Sequence, residues 1–346
     1  MSETKIILEC LLRGEDLEGA QLERFIGSVM DGGVEPPQVA AVLVALRMKG
    51  ETGLEVAAAA RAMRARSVTV PVANPRQSVD TCGTGGDGAE TVNISTAAAF
   101  VAAAAGVPIA KHGNRSVSSR CGSADVLEAA GVQLGLAPDE LARVHDEVGV
   151  TFLFAPRLHP AMGAVMPVRR SLAVRTIFNL LGPLTNPAGV TRQVVGVWGP
   201  EVQPYMAEAL AELGAEHALV VHSDDGLDEL SVAAPSTVFE VRDGSVTGEW
   251  RVDPEQLGVE AHDPSTMRGG DTAHNVVRLE AILGGKELSA ASEAVALNAA
   301  AAIYVAGDAA DLYQGLERAR SVLESGAALD RLHHLARRTV ELAANA

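Results

Sequence analysis

From Ser67 onward the chain alternates short apolar runs with longer segments whose apolar residues recur every three to four positions, and nothing else in its 346 residues confines the fold as tightly. Such alternation builds a mostly parallel α/β sheet, because parallel neighbours need a crossover connection that a helix supplies. The β-branched runs Ser67-Val68-Thr69-Val70 and Ser78-Val79-Asp80 introduce it. Strands are expected near Val79–Thr81, Pro108–Ala110, Thr151–Phe154, Gln193–Val197 and Ala218–His222. Helices are expected near Ile94–Ala105, Ala124–Ala130, Pro138–Glu147, Gln203–Leu213, Asp271–Leu283 and Ala290–Val305, with an amphipathic helical tail from about Ala310. Thr237–Arg242 and Ser245–Val252 flank Asp243-Gly244 and read as a hairpin, since Asp-Gly suits the positive φ of a two-residue turn.

The residues before this pattern, up to about 66, are different in kind. Turn signals at Gly14, Asp31-Gly32-Gly33 and Lys49-Gly50 separate short helical segments, Pro36-Pro37 opens one of them, and Thr52 with Glu55 has the spacing of a capping box. No strand-like alternation occurs there, so a small helical domain is expected over 1–73, ahead of a larger α/β domain over 74–159 and 191–346. The proline-rich, basic stretch between them, about 160–190, reads as an excursion packing back on the helical domain and leaving a cleft between the two.

Composition narrows the class of function. A chain with 47% hydrophobic residues can bury a sizeable core, yet no apolar run reaches the ~20 residues of a membrane span, and the run Ala97–Ala105 is too short. Met1-Ser2-Glu3-Thr4-Lys5 lacks the form of a secretory signal, so a cytoplasmic protein is expected. Cys10, Cys82 and Cys121 are odd in number and widely spaced, unlike a zinc or redox motif. A formal charge of −16 disfavours nucleic acid and anionic membranes as partners, and 3% aromatics offers few base-stacking platforms. An anionic ligand then requires locally concentrated positive charge.

Four segments carry candidate chemistry. Asp80-Thr81-Cys82-Gly83-Thr84-Gly85-Gly86-Asp87-Gly88, followed by Thr91-Val92-Asn93-Ile94-Ser95-Thr96 and a helix, suits a phosphate: glycines admit close backbone approach and the helix N-terminus adds positive charge. It fits neither the P-loop nor the dinucleotide fingerprint, and alone it is equally a flexible turn with a helix cap. Lys111-His112-Gly113-Asn114-Arg115-Ser116-Val117-Ser118-Ser119-Arg120-Cys121-Gly122-Ser123 begins where a strand ends and combines cations with hydroxyls, as a polyanion site would. In His222-Ser223-Asp224-Asp225-Gly226-Leu227-Asp228-Glu229, four carboxylates fall within six residues. That is usually a solvated acidic turn, but beside two phosphate-binding loops Mg²⁺ becomes the better reading. Finally, Pro167 to Pro187 sets Arg169, Arg170 and Arg175 against an apolar wall, where any of them could pair with an aromatic carboxylate or remain a surface charge.

Together with Gly269-Gly270-Asp271 and Leu297-Asn298-Ala299-Ala300-Ala301, these segments resemble the anthranilate phosphoribosyltransferases, in order and over nearly the whole chain. The resemblance implies a nucleoside-phosphorylase-like architecture, a site in the hinge cleft, and a homodimer formed through the helical domains. It implies that phosphoribosyl pyrophosphate (PRPP) lies along Gly83, Gly86, Asp87, Thr91, Asn93, Ile94, Ser95, Thr96, Lys111, His112, Gly113, Asn114, Arg115, Ser116, Val117, Ser118 and Ser119, with Ser123 nearby. Mg²⁺ is implied on Ser95, Asp228 and Glu229, and anthranilate on Gly83, Asn114 and Arg169 near His112 and Pro183. Lys111 then neutralises the departing pyrophosphate and His112 relays the amine proton. Gly163, Ala173 and Ser223 depart from the family pattern: a basic residue is common at the first, and glycine at the other two. The rivals are a pyrimidine nucleoside phosphorylase and a non-catalytic nucleotide-binding relative.

Overall fold

The computed structural model describes residues 3–116, 120–259 and 263–345. Four helices come first: α1 (Glu3–Leu12), α2 (Gly19–Met30), α3 (Pro36–Lys49) and α4 (Gly53–Arg64). Proline at the first turn starts α3, where its missing N–H costs nothing. The expected capping box starts α4: the Thr52 side chain accepts from the Glu55 N–H and the Glu55 carboxylate accepts from the Thr52 N–H. Glu55 is fully buried and also takes the Leu17 N–H (2.9 Å) and the Lys49 ammonium (2.8 Å), so one carboxylate ties the α1–α2 linker, the end of α3 and the start of α4.

The α/β part runs β1 (Val79–Asp80), α5 (Ile94–Ala104), β2 (Ile109–Gly113), α6 (Ser123–Ala129), α7 (Pro138–Val148) and β3 (Val150–Phe154). Next come α8 (Ala155–Leu158), α9 (Met162–Leu172) and α10 (Leu181–Leu184). The chain then returns to the sheet through β4 (Arg192–Gly196), α11 (Gln203–Glu212), β5 (His217–Ser223), β6 (Ser236–Arg242) and β7 (Ser245–Val252). It closes with α12 (Thr272–Leu283), α13 (Ala290–Ala306), α14 (Leu312–Ser325) and α15 (Ala327–Ala343). The seven-stranded sheet has the order β3-β2-β1-β4-β5-β6-β7, parallel through β5, with β6 and β7 added antiparallel as the expected hairpin.

The sheet sits between two hydrophobic cores because successive strand residues point to opposite faces. Along β5, Ala218 and Val220 enter one core while Leu219 and Val221 enter the other. The first of these cores joins α11 to α1–α4 and to Val165, Val168, Ile177, Phe178, Leu181 and Leu184 of the excursion. The excursion thus packs on the helical part. The second core is alanine-rich: α13 lies against α5 and α14 with so little side chain between that a Cβ on Gly315 would come within 2.7 Å of the Ala300 carbonyl.

The β-branched run Ser67–Val70 fastens the interdomain linker to both ends of the excursion, its N–H groups at Val68 and Val70 donating to the carbonyls of Leu158 (2.8 Å) and Pro187 (3.0 Å). Two sequence expectations need correction. The tail from Ala310 is two helices, broken at Gly326, whose φ of +74° no α-helix interior adopts. The strand expected to end at Ala110 extends to Gly113, so Lys111 and His112 are strand residues, registered against Phe152 and Leu153 of β3. Among the described residues no helix is long and apolar enough to cross a membrane.

Candidate active site

Parallel strands deliver their C-terminal ends to one edge of the sheet, and the strand order reverses between β1 and β4, which opens a crevice there. The glycine loop follows β1 into this crevice. Its turns need positive φ at Gly85 (+66°), Gly86 (+86°) and Gly88 (+76°), which glycine adopts without a Cβ penalty. Thr84 holds the loop on the end of β4, donating from its N–H (2.8 Å) and its hydroxyl (3.2 Å) to the Gly196 carbonyl. Contact here is backbone on backbone: a Cβ at Gly83 would lie 2.9 Å from the Gly196 oxygen, and one at Gly196 would fall inside the Asp228 carbonyl. Arg175 secures the far side, donating to the Gly86 carbonyl at 2.5 Å with its guanidinium 4.6 Å over the Trp198 ring.

Beyond the loop, Thr91 bridges Arg268, and the Val92 N–H donates to the Met267 carbonyl (2.8 Å). Asn93 is the N-cap of α5, with Ile94, Ser95 and Thr96 forming its first turn; Ile94 and Thr96 are buried. The Ser95 N–H donates to Glu229 Oε1 across 3.2 Å. Below them the Lys111 ammonium, itself buried, donates to the carbonyl (3.0 Å) and hydroxyl (3.2 Å) of Thr81, whose hydroxyl donates to the Ser95 carbonyl (3.0 Å). The floor of the site is Asp80, fully buried, which accepts from the His112 N–H (3.1 Å) and from Asn186 Nδ2 (2.7 Å). Burial lifts its carboxyl to about 6, against the pull of Lys111 and these hydrogen bonds.

Structure sorts the four carboxylates of the acidic turn. Asp224 is ion-paired with Arg251 and Asp225 accepts from the Ser231 hydroxyl (2.6 Å), so both are structural. Asp228 and Glu229 are half-buried and turned toward Asp87, whose Oδ2 is 3.5 Å from the Asp228 N–H. Burial, with Glu229 and Asp87 beside it, pushes Asp228 well above the usual carboxylate range. Glu229 is pushed up to about 7, chiefly by burial and opposed by Lys111. Among the described residues no group of three or more His, Cys, Asp or Glu is disposed to hold a metal by itself.

The basic segment is more committed than its composition suggested. Arg115 is paired with Asp125 (2.9 Å) and Glu128 (2.8 Å) and lies 5.5 Å over the Phe154 ring. The Ser116 N–H donates to Asp125 Oδ2 (3.1 Å), and the Asn114 carbonyl accepts from the Ser123 hydroxyl (3.2 Å). Val117, Ser118 and Ser119 lie outside the described residues. His112 Nδ1 meets the Gly182 carbonyl at 2.9 Å, next to Pro183, and its buried Nε2 has no hydrogen-bond partner among the described residues. Burial and the neighbouring His159 ring, 5.1 Å away, depress its pKa to about 3, so the ring is neutral, with Nδ1 protonated toward the carbonyl. Arg169 is half-buried in α9, its pKa lowered by burial alone, and no carboxylate among the described residues pairs with it. Arg170 is exposed.

Direct contacts therefore join Gly83, Asp87, Ser95, Lys111, Asp228 and Glu229 through Thr81, Thr84 and Gly196, and bring His112 to the turn holding Pro183. Asn114 and Arg169 make no hydrogen bond to that group. The sequence reading missed Gly196, Asn186 and His159. Only Gly196 left a local trace, as a glycine closing the β-branched run Val194-Val195.

A helical bundle ahead of an α/β domain is the plan of one class of glycosyl transferases. The glycosyl transferase family, helical bundle domain, matches residues 5–67, and the glycosyl transferase family, a/b domain, matches 75–329. Anthranilate phosphoribosyltransferase of Rubrobacter xylanophilus is 50% identical over 330 residues, covering 95% of this chain and 96% of that protein. The crystal structure of the Thermus thermophilus enzyme of the same name superposes with a TM-score of 0.91 at 44% identity, covering 96% of this chain and 99% of that one. The Saccharomyces cerevisiae enzyme in complex with PRPP and Mg superposes with a TM-score of 0.89 at 26% identity, covering 98% of both. This chain belongs to the anthranilate phosphoribosyltransferase family.

Proposed function

We propose that the protein transfers the 5-phosphoribosyl group of PRPP to the amine of anthranilate, giving N-(5-phosphoribosyl)anthranilate and pyrophosphate in tryptophan biosynthesis. One arrangement carries the reading: the carboxylates of Asp87, Asp228 and Glu229 are gathered at the N-terminus of α5 beside the buried Lys111 ammonium. Crowded acids favour a cation, and N–H groups at a helix N-terminus favour an anion, so the two halves together suit a magnesium–pyrophosphate pair. Ser95, Asp228 and Glu229 offer hard oxygen ligands and are the residues that would hold Mg²⁺. Bound there, the ion would offset charge on the leaving pyrophosphate.

PRPP would extend from Gly83, Gly86 and Asp87 through Thr91 and Asn93–Thr96 to the segment from Lys111 to Ser123. Anthranilate would lie on Gly83, Asn114, Arg169 and Pro183, with the Arg169 guanidinium, partly desolvated and without a counter-ion among the described residues, taking its carboxylate. The amine nitrogen bonds to the ribose C1 carbon, the C1–oxygen bond to pyrophosphate breaks with its electron pair on the departing oxygen, and the amine gives up a proton to the released pyrophosphate or to water. Lys111 faces the charge that accumulates on the departing oxygen. The neutral His112, with Nε2 bare, can accept a hydrogen bond from the amine and orient it, a more modest part than proton relay.

Domain limits of 1–73, with the excursion 160–190 docked on it, and 74–159 plus 191–346 follow from the same reading. A homodimer through the helical domain is supported by apolar side chains left exposed on α1 and α3, namely Ile6, Leu12 and Met48. The acidic chain suits the cytoplasm, where tryptophan biosynthesis has its soluble substrates. Anthranilate is fluorescent, so the test is loss of its emission with PRPP in the presence of Mg²⁺ and in EDTA. Unchanged emission in Mg²⁺, together with turnover of thymidine and phosphate, would replace this activity with that of a nucleoside phosphorylase.

A further inference from the structure

A set of side-chain amides ties the phosphate-binding segments to a helix from the other end of the chain. Asn275, in the first turn of α12, is 3% exposed. Its Nδ2 donates to Asn93 Oδ1 (3.2 Å) and its Oδ1 accepts from the Gly270 N–H (2.7 Å). Asn93, in turn, donates from Nδ2 to the Cys121 carbonyl (3.1 Å). One amide pair thus links the N-cap of α5, the end of the loop that begins at Lys111, and the turn Gly269-Gly270. That turn is pressed on the same place: the Gly269 N–H donates to the Glu90 carbonyl (2.8 Å), and a Cβ on Gly269 would come within 2.6 Å of the Thr91 carbonyl.

The orientation of an amide is set by its partners, since its oxygen only accepts and its nitrogen only donates. Asn275 gives its N–H₂ to the Asn93 oxygen, and this directs the Asn93 nitrogen to the Cys121 carbonyl. It also fixes where the second, uncommitted N–H of Asn93 lies. We infer that Asn275 is a positioning residue for PRPP: through Asn93 it sets the spacing between the helix α5 N-terminus and Cys121, near the end of the segment that begins at Lys111. The inference rests on the proposal that these two segments bind PRPP. Substrate contact belongs to Asn93, not to Asn275.

The test is steady-state kinetics on the full chain with Asn275→Ala, Asn275→Asp, Asn93→Ala and the Asn93→Ala/Asn275→Ala pair. Asn275→Asp keeps the acceptor for Gly270, and with it the helix turn, but opposes an oxygen to Asn93, so it reports on the relay where the alanine variant fails to fold. Each Asn275 variant should raise the KM for PRPP roughly three- to tenfold, the effect of one buried neutral hydrogen bond, with the KM for anthranilate within about twofold of wild type. The double variant should fall short of the product of the two single effects, because a residue acting chiefly through another adds little once that other is gone. A KM for PRPP within about twofold of wild type in both Asn275 variants, equal rises for both substrates, or effects that multiply in the double variant would each overturn the inference. Wild-type turnover, measured first, tests the activity separately, so a flat response on an active background counts against the relay alone.

Discussion

The guanidinium of Arg175 donates to the Gly86 carbonyl while stacked over Trp198, and its own carbonyl accepts from Arg47 of α3 (2.6 Å). The glycine loop is therefore braced from the helical part of the molecule. Arg175→Lys keeps the charge but loses the planar fork and the stacking. It should raise the KM for PRPP roughly three- to tenfold, the equivalent of about 1 kcal/mol, with the KM for anthranilate little changed. Steady-state kinetics with each substrate varied in turn decides it.

Asp228→Asn and Glu229→Gln each remove a charge from the crowded acids facing α5 while leaving the volume in place. Activity should fall at least about a hundredfold in each, as loss of a metal or oxyanion contact does, and the Mg²⁺ concentration for half-maximal rate should rise. EDTA should abolish wild-type turnover and added Mg²⁺ restore it. Full activity of either variant at wild-type Mg²⁺ would remove that residue from the metal site.

His112 has a folded-state pKa depressed to about 3, below its ordinary 6.5, so it stays neutral across the working range. Lowered in the folded state, it contributes stability that is complete above about 6.5 and is lost as pH falls toward 3. The kcat/KM profile between about pH 6 and 9 should show no ionisation belonging to it, and His112→Asn should have a profile of the same shape. The variant should lose about tenfold in rate, one hydrogen bond's worth, rather than the roughly 10²–10⁴ of a general base.

Arg169→Ala should lower kcat/KM for anthranilate roughly 10- to 150-fold, corresponding to a charged hydrogen bond of about 1.5–3 kcal/mol. The KM for PRPP should hardly move. Arg169→Lys should rescue only in part. If PRPP binding suffered instead, the carboxylate would need another partner; Arg170 would then be the candidate, since Arg175 is already engaged with Gly86.

Ala173 closes α9 in the left-handed region, at φ +50°. Glycine there avoids the Cβ penalty of that conformation, which outweighs the extra freedom glycine has when unfolded. Ala173→Gly should stabilise the protein by roughly 0.5–1 kcal/mol, visible as a rise of about 1–2 °C in Tm by calorimetry. A lower Tm would mean that the glycine's added freedom dominates.

What the sequence disclosed depended on how far apart the partners lie. The capping box at Thr52 and Glu55, the Asp243-Gly244 hairpin and the Gly-rich turn after β1 are decided within a few residues, and each was legible. Asn93 and Asn275 are 182 residues apart and carry no local signature of each other. The same holds for the acidic turn: four carboxylates look alike in sequence, and only Arg251, from β7, distinguishes Asp224 from Asp228. Arg115 read as free because Asp125 and Glu128 lie on the helix that folds back onto it. Ser67–Val70 had strand composition but found partners on Leu158 and Pro187, one at a time, which is not a ladder.

Gly196 has no side chain to offer a substrate, yet it sets the tolerances of the site. Thr84, Gly83 and the Asp228 carbonyl all rest on it, so the glycine loop and the acidic turn meet at a gap with no room for a single carbon atom. Drift in either loop is therefore felt by the other, and the two must change together or not at all. A designer wishing to alter the sugar-phosphate specificity of this scaffold would do better to leave both loops as one inherited part and vary the acceptor wall instead.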